Sequence, residues 1–179
     1  MAYVVGRMTS VPASSRPDLV GEATLTALDR LGLTDVVGVV EVDPDLSDTA
    51  LTQEAYDLPI ESLANCVIVA GRREGVERVA ACMVLASTRA DVNTVVRKRL
   101  DVRKATFLPR EEAVERTGME YGGINPIGLP GDWRVLVDAA VATQPVLVIG
   151  SGVRRSKLLL PGNVLATLPS AEIVEGLGR

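Results

Sequence analysis

The sequence predicts a single mixed α/β domain in which a largely antiparallel sheet is flanked by helices. Three observations point there. The chain has 179 residues, close to one domain's worth, and 47% apolar with 23% charged content is an ordinary balance for a globular core. Several apolar runs are joined by short links, which suits antiparallel or mixed pairing better than a doubly wound sheet. No internal repeat or low-complexity stretch divides the chain.

The elements follow in order. Residues 1–16, with Gly6, Pro12, Ser14 and Ser15, carry weak periodicity and are expected as an extended or loose lead-in to a domain over 17–179. Pro17-Asp18 opens a helical pattern (Leu19, Val20, Ala23, Ala27, Leu28, Leu31) that Gly32 closes. The β-branched run Val36–Val42 predicts a strand, stopped by Asp43-Pro44-Asp45. Thr49–Tyr56 is a short helix capped by Asp48 or Ser47. Cys66–Ala70 and Val79–Ala86 are strands around a Gly71–Gly75 hairpin link. A helix over Val92–Leu100 starts near Asp91 or Thr88, and Lys104–Leu108 is a short strand. Pro109 and the acids Glu111 and Glu112 open a helix that ends at Gly118. Val135–Val141, Val146–Ile149 and Lys157–Leu160 are strands, and Asn163–Leu168 is a last helix.

Composition narrows the chemistry. The chain has no histidine, which removes Ser-His-Asp, Cys-His and His-ligated zinc sites. One Trp, three Tyr and one Phe are too few for a platform that stacks several bases. Cys66 and Cys82 cannot form a four-ligand metal site or a disulfide framework, and both sit in apolar runs as small core residues. No metal or cofactor is expected. Neither a signal-like stretch nor a long apolar run is present, so a cytoplasmic, membrane-free protein is expected. A net charge of −4 means that an anionic partner would need a local basic patch. Arg97, Lys98, Arg99, Arg103 and Lys104 supply one, readable either as a solvated helix end or as a phosphate track.

The stretch 121–131 has neither helical nor strand period and holds four glycines and two prolines. Such a loop costs entropy unless its backbone takes left-handed conformations or approaches something closely. Consecutive amides there could hold a carbonyl, carboxylate or phosphate, although a tight surface crossover explains the glycines equally well. Without GKS/T it is no P-loop. Gly150-Ser151-Gly152 follows the strand at 146–149; Ser151 has no His or adjacent Lys to activate it, and a simple strand-end turn is the plainer reading.

Thr117-Gly118, Tyr121-Gly122-Gly123-Ile124-Asn125-Pro126-Ile127-Gly128, Leu136-Val137-Asp138 and Val148-Ile149-Gly150-Ser151-Gly152 occur in an order and spacing that resembles the YbaK / prolyl-tRNA synthetase-associated domain family, over residues 20–176. The resemblance implies a curved mixed sheet flanked by helices. It also implies trans-editing, the hydrolysis of the ester of mischarged aminoacyl-tRNA, with glycine-loop amides holding the substrate carbonyl while water attacks. Carried over by position, Gly122, Gly123 and Ser151 are the catalytic candidates. Thr117, Gly118, Ile124, Pro126, Gly128, Asp138, Gly150, Gly152 and Lys157 are substrate-binding candidates, and Arg154 joins the basic stretch as a tRNA contact. Typical editing members carry a lysine where this chain has Asn65, which can hydrogen-bond but brings no charge. Lys157, Arg154 and Arg89 are the cations that could stand in. Two readings follow: a deacylase, or a non-catalytic module that binds tRNA acceptor ends or an amino-acid-like ligand. Besides tRNA, an aminoacyl-tRNA synthetase and a second copy of the chain are the partners these readings admit.

Overall fold

A computed structural model describes residues 1–179. Its strongest local signal is a hairpin of two ten-residue strands, β5 (Ala64–Arg73) and β6 (Val76–Leu85), paired without a break from Ala64↔Leu85 to Arg73↔Val76. The turn is Glu74-Gly75, both with positive φ (52° and 80°). That two-residue geometry matches the right-handed twist of the flanking strands. Gly75 has open space around it, so an added Cβ meets only backbone strain. Gly75→Ala is expected to cost about 1 kcal/mol in denaturant unfolding.

Fifteen further strands and α-helices precede or follow this hairpin and build two larger sheets. The earlier ones are β1 (Val4–Val5), β2 (Met8–Thr9), β3 (Val11–Pro12), α1 (Glu22–Leu31), β4 (Gly38–Glu41) and α2 (Thr49–Tyr56). After it come α3 (Arg97–Leu100), β7 (Ala105–Phe107), α4 (Arg110–Thr117) and β8 (Arg134–Asp138), then five more: α5 (Ala139–Ala142), β9 (Leu147–Gly150), β10 (Ser156–Leu160), α6 (Gly162–Leu165) and β11 (Ala171–Val174). One sheet has the order β11-β8-β6-β5-β7, the other β3-β4-β10-β9, and β1 pairs with β2 alone. Pairing is antiparallel except at β6–β8 and β8–β11. The fold is therefore mixed α/β and antiparallel-dominated, as the element order predicts. An isolated parallel bridge, Leu63↔Val148, joins the two larger sheets.

Strand alternation explains the layers. Met83, Leu85, Val135 and Val137 share a core with Val39, Ile149 and Leu158 of the smaller sheet and with Ala27 and Leu28 of α1. On the other face, Val69, Ala80, Cys82, Val84 and Leu136 pack under Val92, Val96 and Leu100. Cys82 is buried, and burial pushes its thiol up to about 12. Cys66, half-buried at the edge of the cleft, is pushed up further, so burial disfavours both thiolates.

The structure departs from the sequence expectations at particular places. Residues 1–16 are not a loose lead-in: β3 pairs with β4, and Met8, Ser10 and Ala13 are buried. The first helix begins at Glu22, because Pro17–Leu19 forms a 3-10 turn and the Gly21 amide donates to the Ser151 carbonyl at 2.9 Å. Val92–Val96 is a π-helical turn, capped by Asp91, ahead of the short α3. The run 135–141 is a strand only to Asp138, whose side chain accepts from the Ala140 amide (2.8 Å) and starts α5. An apolar run does not reveal such a switch by period alone. The last helix stops at Leu165, and β11 follows unpredicted, held by parallel pairing to β8. No helix is long and apolar enough to cross a membrane.

Candidate active-site cleft

A cleft of about 880 Å³ opens where the two larger sheets meet. One wall is Ala64–Val67 of β5; the other is Val148–Gly150 of β9 with Lys157 of β10. The start of α2 and the loop through Tyr121, Gly122 and Ile124 close the ends.

The two glycine clusters meet behind this cleft. The Gly152 amide donates to the Gly123 carbonyl at 2.7 Å, and the Glu120 amide to the Gly152 carbonyl at 2.9 Å. A Cβ on Gly150 would lie 2.4 Å from the Gly123 oxygen, and one on Gly123 would lie 2.7 Å from the Val153 nitrogen. These glycines are required because two backbones touch. The Gly123 amide is committed to the Glu120 carbonyl (2.9 Å), whereas the amides of Gly122 and Ile124 donate to no protein group. Gly122 has φ 84°, a conformation open to glycine.

Lys157 is the charge in the cleft. Its side chain is buried, and Nζ donates to the carbonyls of Ser47 (2.7 Å) and Gly122 (3.4 Å). Burial first, and Arg154 second, lower its pKa to about 8, against the opposing pull of Asp48. Asn65 faces the same space, its Oδ1 accepting from Thr49 Oγ1 at 2.8 Å. Lys157 of β10 thus brings a cation to the cleft that Asn65 lines. Arg154 also reaches the cleft, held by the carbonyls of Tyr121 (3.2 Å) and Pro44 (2.9 Å). Arg89 does not; its backbone pairs with that of Arg179.

Of the residues singled out by sequence, the cleft gathers Asn65, Gly122, Ile124, Gly150, Arg154 and Lys157. Gly123 and Gly152 form the seam behind it. Ser151 is placed elsewhere: it is fully buried, its Oγ 2.7 Å from Ser156 Oγ and 3.0 Å from the carbonyls of Val153 and Ser156. Thr117 and Gly118 end α4, Thr117 Oγ1 donating to the Ala113 carbonyl and Gly118 taking φ 66°. Pro126 and Gly128 line a shallow groove beside α1, where a Gly128 Cβ would strike the Ala23 oxygen at 2.3 Å. Asp138 is a helix cap that also accepts from the Gly178 amide. Arg97 and Arg103 share a separate groove with Arg72 and Arg73 of the hairpin; Lys104 lines the neighbouring one, Lys98 is exposed, and Arg99 is paired with Glu172.

Sequence reasoning missed Ser47, Thr49, Arg110 and Tyr121 as cleft residues. Ser47 had been visible only as a possible helix cap, but Asp48 takes that part, accepting from the Ala50 amide at 3.0 Å. The buried Ser47 Oγ has no protein partner and lines the cleft, so a hydroxyl donor and acceptor remains available there.

A two-sheet α/β domain whose cleft gathers free loop amides and a buried ammonium is equipped to hold a carbonyl oxygen or an anion. The family model for the aminoacyl-tRNA editing domain matches residues 43–168, well over half the chain, and the protein belongs to that family. The activity of that family is aminoacyl-tRNA editing, a deacylation on a tRNA substrate. Among solved structures, a hypothetical protein matches with TM-score 0.76 and 17% identity, covering 88% of this chain and 100% of its own. A protein described as a candidate trans-editing enzyme for prolyl-tRNA synthetase matches with TM-score 0.74 and 18% identity, over 89% of this chain and 96% of its own. At such identities the likeness is one of fold. No curated protein sequence matches the chain.

Proposed function

We propose that the protein is a trans-acting deacylase that clears a small amino acid from mischarged tRNA. The observation that carries this reading is the meeting of two unpaired amides, Gly122 and Ile124, with the buried Lys157 ammonium in one cleft. The ester carbonyl accepts hydrogen bonds from the amides. Water adds to the carbonyl carbon, and the developing oxyanion is held by the same donors in a poorly hydrated site. The carbon–oxygen bond to the ribose then breaks, the ribose oxygen takes the proton left by water, and free amino acid and tRNA depart. Lys157 keeps the loop in place through the Gly122 carbonyl and supplies positive charge beside it. Asn65 offers a neutral amide where a charged group is not needed twice. Arg72, Arg97, Lys98, Arg103 and Lys104 are suited to phosphate contacts, whereas Arg73 and Arg99 are ion-paired with Asp101 and Glu172.

The test is a deacylation assay over a panel of tRNAs mischarged with alanine, cysteine, serine and other small residues. Hydrolysis of at least one ester well above the spontaneous rate is expected. No hydrolysis of any, with tight binding of an aminoacyl-adenosine analogue, would replace this reading with that of a binding module.

A further inference from the structure

Tyr121 is the aromatic residue that lines the cleft, and it stands at the rim with 49% of its surface exposed. The guanidinium of Arg110, itself exposed, lies over the ring at 3.7 Å from the centroid. The pair is built in from both sides. Arg110 opens α4 directly after Pro109, and the Tyr121 carbonyl is held by Arg154 at 3.2 Å. The next residue is Gly122, whose amide is unpaired and faces no protein acceptor.

We propose that Tyr121 and Arg110 form a stacking subsite for the unpaired adenine that ends the tRNA acceptor strand. This rests on the deacylase reading above. Unstacked terminal bases are bound by proteins on aromatic faces and on the planes of arginine guanidinium groups, and this rim offers the two joined as one platform. The order along the chain fits the order in the ligand. In the ligand, base is followed by ribose and then by the ester; in the protein, the Tyr121 ring is followed by the Gly122 amide. Tyr121, Gly122, Ile124 and Lys157 line one cleft, so a base at the rim and an ester at the amides can belong to one ligand. The subsite would be indifferent to which tRNA is bound, because the terminal adenosine is common to all.

The experiment measures binding of 3′-deoxy-3′-(L-alanylamino)adenosine, whose amide resists hydrolysis, and of the same alanylamino ribose without the base. Tyr121→Ala is expected to weaken the adenosine probe on the order of tenfold, as loss of one base–aromatic stack does, and to leave the base-free probe unchanged. Tyr121→Phe should bind the adenosine probe as the unaltered chain does. In deacylation, the loss in Tyr121→Ala should appear in KM. Equal binding of the adenosine probe by Tyr121→Ala and the unaltered chain, an equal loss for both probes, or no measurable binding of the adenosine probe overturns the subsite. Base-dependent binding that survives alongside absent deacylation of every tRNA overturns the deacylase reading and leaves the subsite standing. Deacylation untouched in KM by Tyr121→Ala does the reverse.

Discussion

Replacing Lys157 with methionine is expected to lower kcat/KM for ester hydrolysis about a hundredfold or more, the scale seen when one preorganised donor to an oxyanion is lost. The side chain is buried and holds the carbonyls of Ser47 and Gly122, so its removal takes away the cleft's charge and frees the loop that carries the amides. Its pKa of about 8, against an ordinary 10.5, adds a pH signature. Between those two values the unfolded chain binds a proton that the folded chain gives up, so stability rises as pH climbs through this window. Below about pH 8 both states carry the proton, and the charge costs the fold a constant amount, about 3 kcal/mol. Activity runs the other way, falling as the ammonium is lost above about pH 8. A pH profile of kcat/KM, corrected for spontaneous ester hydrolysis, together with thermal unfolding at pH 7 and at pH 9.5, checks both signs. A flat activity profile, or full activity of Lys157→Met, contradicts the role.

The second large effect is expected for Gly150→Ala. The added methyl would stand 2.4 Å from the Gly123 oxygen, a distance that only movement of backbone can relieve. Pushing β9 from the 121–128 loop breaks the 2.7 Å bond from the Gly152 amide to the Gly123 carbonyl and shifts the unpaired amides of Gly122 and Ile124. We expect a loss of about 3 kcal/mol, from overpacking plus the broken bond. For a chain of this size that lowers Tm by about 6–12 °C. Activity should fall more than stability explains, because misplacement by about 1 Å at a reacting centre costs on the order of a hundredfold. Thermal unfolding and deacylation at a temperature where the variant remains folded separate the two effects.

Much of this architecture is legible in the sequence, because the dominant features are local. The hairpin announces itself by two apolar runs around the Gly71–Gly75 link, although pairing carries on to Arg73↔Val76 and narrows the turn to Glu74-Gly75, and Gly32 and Gly118 mark helix ends by their left-handed backbone. The glycine loops at 121–131 and 150–152 stand out by composition, and at Gly123, Gly128 and Gly150 a side chain would strike backbone. What sequence cannot supply is which backbone each glycine admits. Gly150 meets Gly123, Gly152 meets Gly21, and both pairings depend on the register of β9 against β10. Ser151 looks like a functional hydroxyl by its place in the loop, yet it is a fastener. Ser47 looks like a cap and is a free hydroxyl in the cleft. In each case the deciding neighbour is remote in sequence: Ser47 meets Lys157 across 110 positions. The lead-in of residues 1–16 misleads for the same reason, since its strand exists only against β4.

The cleft's two walls belong to separate hydrogen-bonded sheets, bridged nearby at Leu63 and Val148. A ligand that touches both walls is then a crosslink as well as a substrate. Its free energy of binding then adds to the buried core that already holds the two sheets together.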